Sequence, residues 1–549
     1  MHLFNNLLFF YFSYALIFFS IVGNGFFVSK FINYNSNNIF INFFLALPFL
    51  LLLGFSSYYL IGVSIIFNVV ILICGLFFFF KNIKFGKNFF YLIVFLLILY
   101  PGLIISKSHD DFTLYHFQYF KELVNFPIKI GIGNLDIRYS YSSMFTFVQT
   151  LFFFPYFEFN FFHIPSFLIF TSLVGYLFTT FELKNKLTLN FLKALLSFFI
   201  LVKFSRLSEF GYDFIGQFLL ILIFFIIINK KKEDIFIIIY LSIFAFAIKA
   251  NNLIFLFILI ILFNKKNIIF FFSSLKKNYL ILFVSISLLV SILFNSFLNT
   301  GCLLYFFPKS CFADSLIFWR INPSDLMIFF DNVELWTKGY HGRIIGLELT
   351  PENYSSNFNW VKNWILIHFF YKINEFLIIL FLLFLLFIFF FIKIKNVFFT
   401  YNKNFFFIFF LSLVMLFFWF IKVPQFRFGF AYILIFCMTL FLLFFRLKAV
   451  SNKRNFFILF CVALFLFNIF NIQRIISHLK LDSNYRFENF PWINILPRTV
   501  SVEVFTKKGF KYYKPEKLEE GFCFNSETPC SLNNIEITNY KNYRIFKKI

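Results

Sequence analysis

Apolar runs of roughly 17–25 residues, each closed by a cluster of Lys or Asn, recur along most of the chain. A charge-free run of that length is what a helix needs to cross the hydrocarbon of a bilayer. Bounding the runs at charges or Asn clusters predicts helices near 3–28, 39–60, 61–80, 89–105, 159–181, 190–204, 212–229, 235–249, 251–264, 279–299, 374–392, 405–421, 428–446 and 455–473. Pro48 and Gly54 interrupt the stretch 39–80, so that stretch reads either as a hairpin or as one broken helix, a form lipid tolerates only where neighbours re-satisfy the backbone. The first run is too long for a secretory signal and lacks its basic start and small-residue cleavage site, so it is expected to stay as a helix.

The expected fold is therefore an all-α polytopic membrane protein with about 13–14 transmembrane helices, two outer loops and a small extracytoplasmic C-terminal tail. Its parts are expected at 1–88 (extra N-terminal membrane helices), 89–473 (the main membrane bundle with outer loops 106–144 and 300–373) and 474–549 (the tail).

Composition agrees. Apolar residues make up 61% of the 549, charged residues 13%, and mean hydropathy is +0.83. An ordinary soluble domain carries about 25% charge, which excludes a soluble enzyme. The 107 Phe accompany abundant Ile, Asn, Lys and Tyr, residues with A- and T-rich codons, so no single Phe is given a functional meaning.

Charge sets the sidedness. The alternate loops 29–38, 81–88, 182–189, 229–234, 264–278, 393–404 and 446–454 together hold twenty Lys/Arg against three acids, and cytoplasmic loops are where the Lys/Arg excess collects. Loops 106–144 and 300–373, of opposite parity, together hold ten bases and ten acids. They are assigned outward, with the tail. The net charge of +24 then faces anionic headgroups of the lipid bilayer and is no nucleic-acid footprint. This map predicts that a reporter active only in the cytoplasm works when fused after Lys232 or Lys395 and is silent after Asp136 or Pro497; activity at Asp136 would overturn the map.

The cysteines bear on the same point. Cys74, Cys437 and Cys461 lie inside spans, whereas Cys302/Cys311 and Cys523/Cys530 are close pairs in outward segments. Disulfides suit that compartment. Neither pair has the spacing or His partners of a structural zinc site.

Ionisable residues are scarce within the spans, where an ion-coupled transporter would place them. They concentrate in the first outer loop, which reads His109-Asp110-Asp111, then Tyr115-His116, Asn134, Asp136 and Arg138. Adjacent carboxylates followed by Tyr and His can supply a general base or a divalent-metal site at Asp110/Asp111. The like-charge neighbours also tend to raise one carboxyl pKa. The plainer alternative has Asp110 capping a short interfacial helix at 111–124, with His109 and His116 at the headgroup boundary. Asp213 opens a later span, where capping is an equal alternative. Arg138, Arg343 and Arg427 lie on the outer side; the plain readings are a solvated loop charge for Arg343 and snorkelling for Arg427. No Walker loop, dinucleotide Gly pattern or metalloprotease His pair occurs.

The series His109-Asp110-Asp111, Tyr115-His116, Gly133-Asn134-Leu135, Arg138 and Ser142 resembles the loop of an uncharacterised bacterial family of multi-pass proteins. That family in turn resembles the GT-C glycosyltransferases that use lipid-linked sugars. The resemblance continues at Asp213, Gly301-Cys302, Tyr305, Pro308, Cys311, Arg427-Phe428, Gly521, Cys523 and Pro529-Cys530. It covers most of the chain from about residue 95. Phe524 stands where the family usually has Trp, and about three more spans precede the acidic loop than in GT-C enzymes.

The resemblance implies a GT-C-like bundle in the bacterial cytoplasmic membrane with an extracytoplasmic active face. It implies a polyprenyl-phosphate sugar as donor, a cell-surface glycan or lipid as acceptor, and Asp110 or Asp111 as catalytic base. His109, Tyr115, His116, Asn134, Arg138, Asp213, Arg343 and Arg427 would bind substrate. Competing classes are an O-antigen polymerase or ligase, which would not need the acidic pair, and a flippase or other transporter, which would need charges inside the bundle.

Overall fold

The computed structural model of the protein describes residues 2–34, 36, 38–83, 85–104, 111–155, 162–180, 187–205, 212–229, 234–262, 265–391, 397–399, 401, 403–447, 453–479, 500–507, 510–516 and 522–549. Among these, nine helices are long and apolar enough to cross a membrane, and four shorter apolar helices, Phe89–Leu99, His163–Thr179, Asp234–Ile248 and Ala250–Ile260, lie between them. The protein is a helical, multi-pass membrane protein.

The interrupted stretch 39–80 forms two helices, Ile39–Ile61 and Ile65–Asn82. The break falls at Gly62, whose φ of +74° suits a residue without a Cβ, and Ser64 then caps the second helix through the Phe67 amide. Pro48 is carried inside the first of them. Helix His2–Phe31 packs on Ile65–Asn82 backbone to backbone: a Cβ on Gly23 would lie 1.8 Å from the Gly75 carbonyl oxygen. Close approach through small residues is how helices associate where lipid supplies no hydrophobic drive.

Exposure separates the centre of the bundle from its rim. Tyr212–Asn229 is buried along almost its whole length, whereas Tyr279–Thr300 turns Phe283, Ile286, Val290 and Phe294 outward. After Lys249 the chain winds more tightly, as a 3-10 helix over Ala250–Leu262. Runs of that winding longer than a turn are uncommon, and this one forms a wall of the cavity described below.

The three segments assigned outward by charge are stitched together, and the stitching adds β structure that apolar periodicity does not reveal. Strand Ile128–Ile130 of the first loop pairs in parallel with Tyr543–Lys548 of the tail, which pairs antiparallel with Ile535–Tyr540. A second tail hairpin joins Val502–Lys507 to Phe510–Pro515. Asn134 donates to the carbonyls of Trp319 at 2.7 Å and Phe546 at 3.1 Å, so one side chain ties both loops to the tail. Disulfides join Cys302 to Cys311 and Cys523 to Cys530, while Cys74, Cys437 and Cys461 remain thiols.

At the centre of this junction lies a buried ion pair. Glu122 and Lys129 approach to 3.5 Å with side chains 0% and 1% exposed. The Cys530 amide donates to the Glu122 carboxylate at 2.9 Å, and Lys129 donates to the Asn125 carbonyl at 2.6 Å. Burial pushes the Glu122 carboxyl above its ordinary pKa, and the Lys129 charge pulls it back down; burial lowers Lys129, and the Glu122 charge opposes that.

Candidate functional site

A cavity of about 820 Å³ opens among segments far apart in sequence, all of them of outward parity or adjoining an outward turn. The first loop supplies Asp111, Tyr115, His116, Arg138 and Tyr141; the start of helix Tyr212–Asn229 supplies Tyr212 and Asp213. Lys249 and the 3-10 segment follow, then Tyr305 and helix Pro323–Thr337, and finally the turn carrying Lys422 and Arg427.

Four charges form a chain at its heart. Arg427 donates to Asp111 at 2.9 Å, its Nε stands 3.5 Å from Asp213, and Asp213 pairs with Lys249. All four side chains are about three-quarters or more buried. Alternating signs let two cations and two carboxylates share a partly dry site. The rings of Trp336 and Phe428 lie 5.0 and 4.8 Å from the Arg427 guanidinium, and Phe428 also lies 4.1 Å from the Lys249 ammonium. Cations so placed are held by aromatic quadrupoles as well as by carboxylates.

Asp111 precedes a turn of π-helix, Phe112–His116, which runs into the α-helix Phe117–Val124. The expected interfacial helix is thus present, but the Asp111 side chain makes no capping bond to it. The carboxylate turns instead to Arg427. His109 and Asp110 lie outside the described residues.

The remaining residues singled out in the sequence divide. His116 lines the cavity, its ring 4.2 Å from Tyr115 and 5.2 Å from Tyr212. Burial, then the neighbouring Tyr141 and the Asp111 charge, push the Tyr115 phenol well above its ordinary pKa, so it is a hydroxyl at neutral pH. Arg138 also lines the cavity, but Asp136 clamps it through Nε at 2.8 Å and Nη2 at 2.7 Å, and Phe522 of the tail lies 4.2 Å from its guanidinium. Asn134 and Arg343 do not line it. Asn134 is 1% exposed and spent on the junction described above. Arg343 donates to the carbonyls of Tyr340 and Leu347 within its own loop.

Lys249, Glu334, Trp336 and Lys422 are cavity residues that were not singled out from the sequence. For Lys249 a signal existed: it is the sole charge between 235 and 264, and an isolated charge between two apolar runs marks a function more often than a solvated surface.

The rest of the wall is apolar. Leu253, Ile254, Leu256, Phe257 and Ile260 of the 3-10 segment form a strip leading away from the charges, and Leu253 and Ile260 are 39% and 44% exposed at its edge. The cavity therefore combines a charged cluster with an apolar wall whose Leu253 and Ile260 are partly exposed. Among the described residues no group of three or more His, Cys, Asp or Glu could hold a metal ion, and Asp111 is engaged by Arg427.

A family model described as a domain of unknown function (DUF8201) matches residues 7–434. No curated protein and no solved structure matches the chain. The matched region contains Asp111, Asp213, Lys249 and Arg427, and it begins within the first helix, His2–Phe31. With more than half of its length matched, the chain belongs to this family, the domain of unknown function DUF8201.

Proposed function

We propose that the protein is a GT-C-like glycosyltransferase of the bacterial cytoplasmic membrane, moving a sugar from a polyprenyl-phosphate donor to an acceptor on the outer face. One observation carries this reading: two carboxylates and two cations line the same cavity as an apolar strip over Leu253–Ile260. A lipid-linked sugar has the matching shape, an apolar chain ending in an anionic phosphate that bears the reacting carbon.

In this reading the chain lies along Leu253–Ile260 and the phosphate lies beside Arg427 and Lys249. The acceptor hydroxyl attacks the anomeric carbon, the bond from that carbon to the phosphate oxygen breaks, and the phosphate leaves with the electron pair. Asp111 takes the hydroxyl proton. The charge growing on the leaving phosphate meets fixed cations in a site mostly shielded from water, where such stabilisation counts for most. Tyr115 and His116 supply further polar contacts to the sugar.

A deletion strain tests the reading. It should accumulate a lipid-linked sugar and lose a surface glycan or glycolipid, and both should be restored by the wild-type chain. Unchanged lipid-linked sugars together with unchanged surface glycans would remove it.

A further inference from the structure

Helix Pro323–Thr337 lines the cavity with Phe329, Phe330, Val333, Glu334 and Trp336. Phe329 stacks on Tyr141 at 5.5 Å, Phe330 packs on Tyr305 at 6.0 Å, and Lys548 of the tail pairs with Asp325 at 2.6 Å near the helix start. These contacts fix the helix over the charged centre. Its last turn then sets Glu334 and Trp336 at the cavity wall, beside Lys422.

Trp336 is not explained by the composition that explains the Phe excess. The chain has only six Trp. Trp360, Trp364 and Trp419 are 2%, 5% and 3% exposed and act as core, Trp319 is half-buried with its N–H given to the Phe297 carbonyl, and Trp492 lies outside the described residues. Trp336 is 40% exposed and lines the cavity, with Arg427 against its ring. Part of its indole is thus left uncovered by the described residues, beside the charged cluster. Glu334, shared between Lys338 at 2.5 Å and Lys422 at 3.8 Å, places an acceptor of hydrogen bonds next to it, and Lys422 a donor.

We propose that Trp336, flanked by Glu334 and Lys422, is the platform on which the acceptor sugar stacks, so that the acceptor is a glycan and not a bare lipid alcohol or a protein side chain. A pyranose ring presents a face of C–H groups to the electron-rich face of an aromatic ring, and its hydroxyls project around the edge. A flat ring bordered by charged groups matches that pattern. Donor chain and acceptor sugar then have separate surfaces, Leu253–Ile260 and Trp336, in one cavity with Asp111. The assignment rests on the glycosyl-transfer reading, and its test separates the two.

Binding is measured calorimetrically on purified Asp111→Asn protein, with a panel of neutral, N-acetylated and uronic-acid disaccharides. At least one class should bind. Adding Trp336→Ala should weaken that binding roughly three- to tenfold, while Trp336→Phe, which keeps a ring, should retain most of it. In the catalytically intact chain, Trp336→Ala should raise KM for the acceptor and leave KM for the donor unchanged. Equal binding with and without the indole, no binding by any disaccharide in the panel, or a rise in donor KM alone would overturn the platform. Turnover with a lipid alcohol that is insensitive to Trp336→Ala would refute the platform and leave glycosyl transfer standing. Trp336-dependent saccharide binding by a chain that transfers from no polyprenyl-phosphate sugar would keep the platform and refute glycosyl transfer.

Discussion

Asp111→Asn should lower sugar transfer by about 10²–10⁴, the usual cost of removing a general base, with no fall in membrane abundance. The amide keeps the shape of the side chain and can still accept the Arg427 hydrogen bond that the carboxylate takes at 2.9 Å. What it cannot do is accept a proton. Asn is nearly as good as Asp at a helix start, and the Asp111 side chain makes no capping bond, so a structural role predicts near-normal activity. Asp136→Asn provides the control. That residue clamps Arg138 through two nitrogens, so its amide should loosen the grip on one wall and give a smaller loss, on the order of tenfold. Assays in membranes with matched protein levels, run beside Asp110→Asn, distinguish these cases. Full activity in both single amide variants and in the double variant would take the acidic pair out of catalysis and favour a polymerase or ligase mechanism.

The spans were readable because lipid imposes one rule on every helix, and apolar run length reports it directly. The structure places helices close to each predicted span, including the separate pieces 39–61 and 65–82. The site was readable only in part. Asp111, Asp213 and Arg427 were each named as candidates, but that Arg427 lies between the two acids depends on a tertiary path joining residues 316 apart in the chain. Polar residues of one loop look alike in sequence: Asn134 and Arg138 stand four apart, and only one reaches the cavity. Trp336 was hidden by the aromatic background. The tail strands carry a weak alternation, as in Ile535–Tyr540, but strand Ile128–Ile130 is too short to be seen without its partner over four hundred residues away.

The Glu122–Lys129 pair sets the second large expectation, which falls on stability. Lys129→Met removes the cation from a carboxylate that is 0% exposed, and breaking a buried pair from one side costs about 3–5 kcal/mol because a charge is left without compensation. Glu122 can escape by taking up a proton, the direction in which burial already pushes it, but the protonated acid is a poorer acceptor for the Cys530 amide. The tail should then detach from the first loop, and protease added from the outer side should cut it while wild-type tail resists. Glu122→Gln retains an oxygen for Cys530 and should be milder, although it leaves Lys129 buried with only the Glu122 and Asn125 carbonyls. Joining Glu122→Gln to Lys129→Met removes both charges and should recover much of the resistance, as neutral replacements of buried pairs do. Arg138 adds a functional consequence, since Phe522 of the tail lies against its guanidinium, and detachment should cost transfer activity in proportion to tail cleavage. Wild-type resistance in Lys129→Met would mean that the strand ladder between Ile128–Ile130 and Tyr543–Lys548 holds the tail unaided.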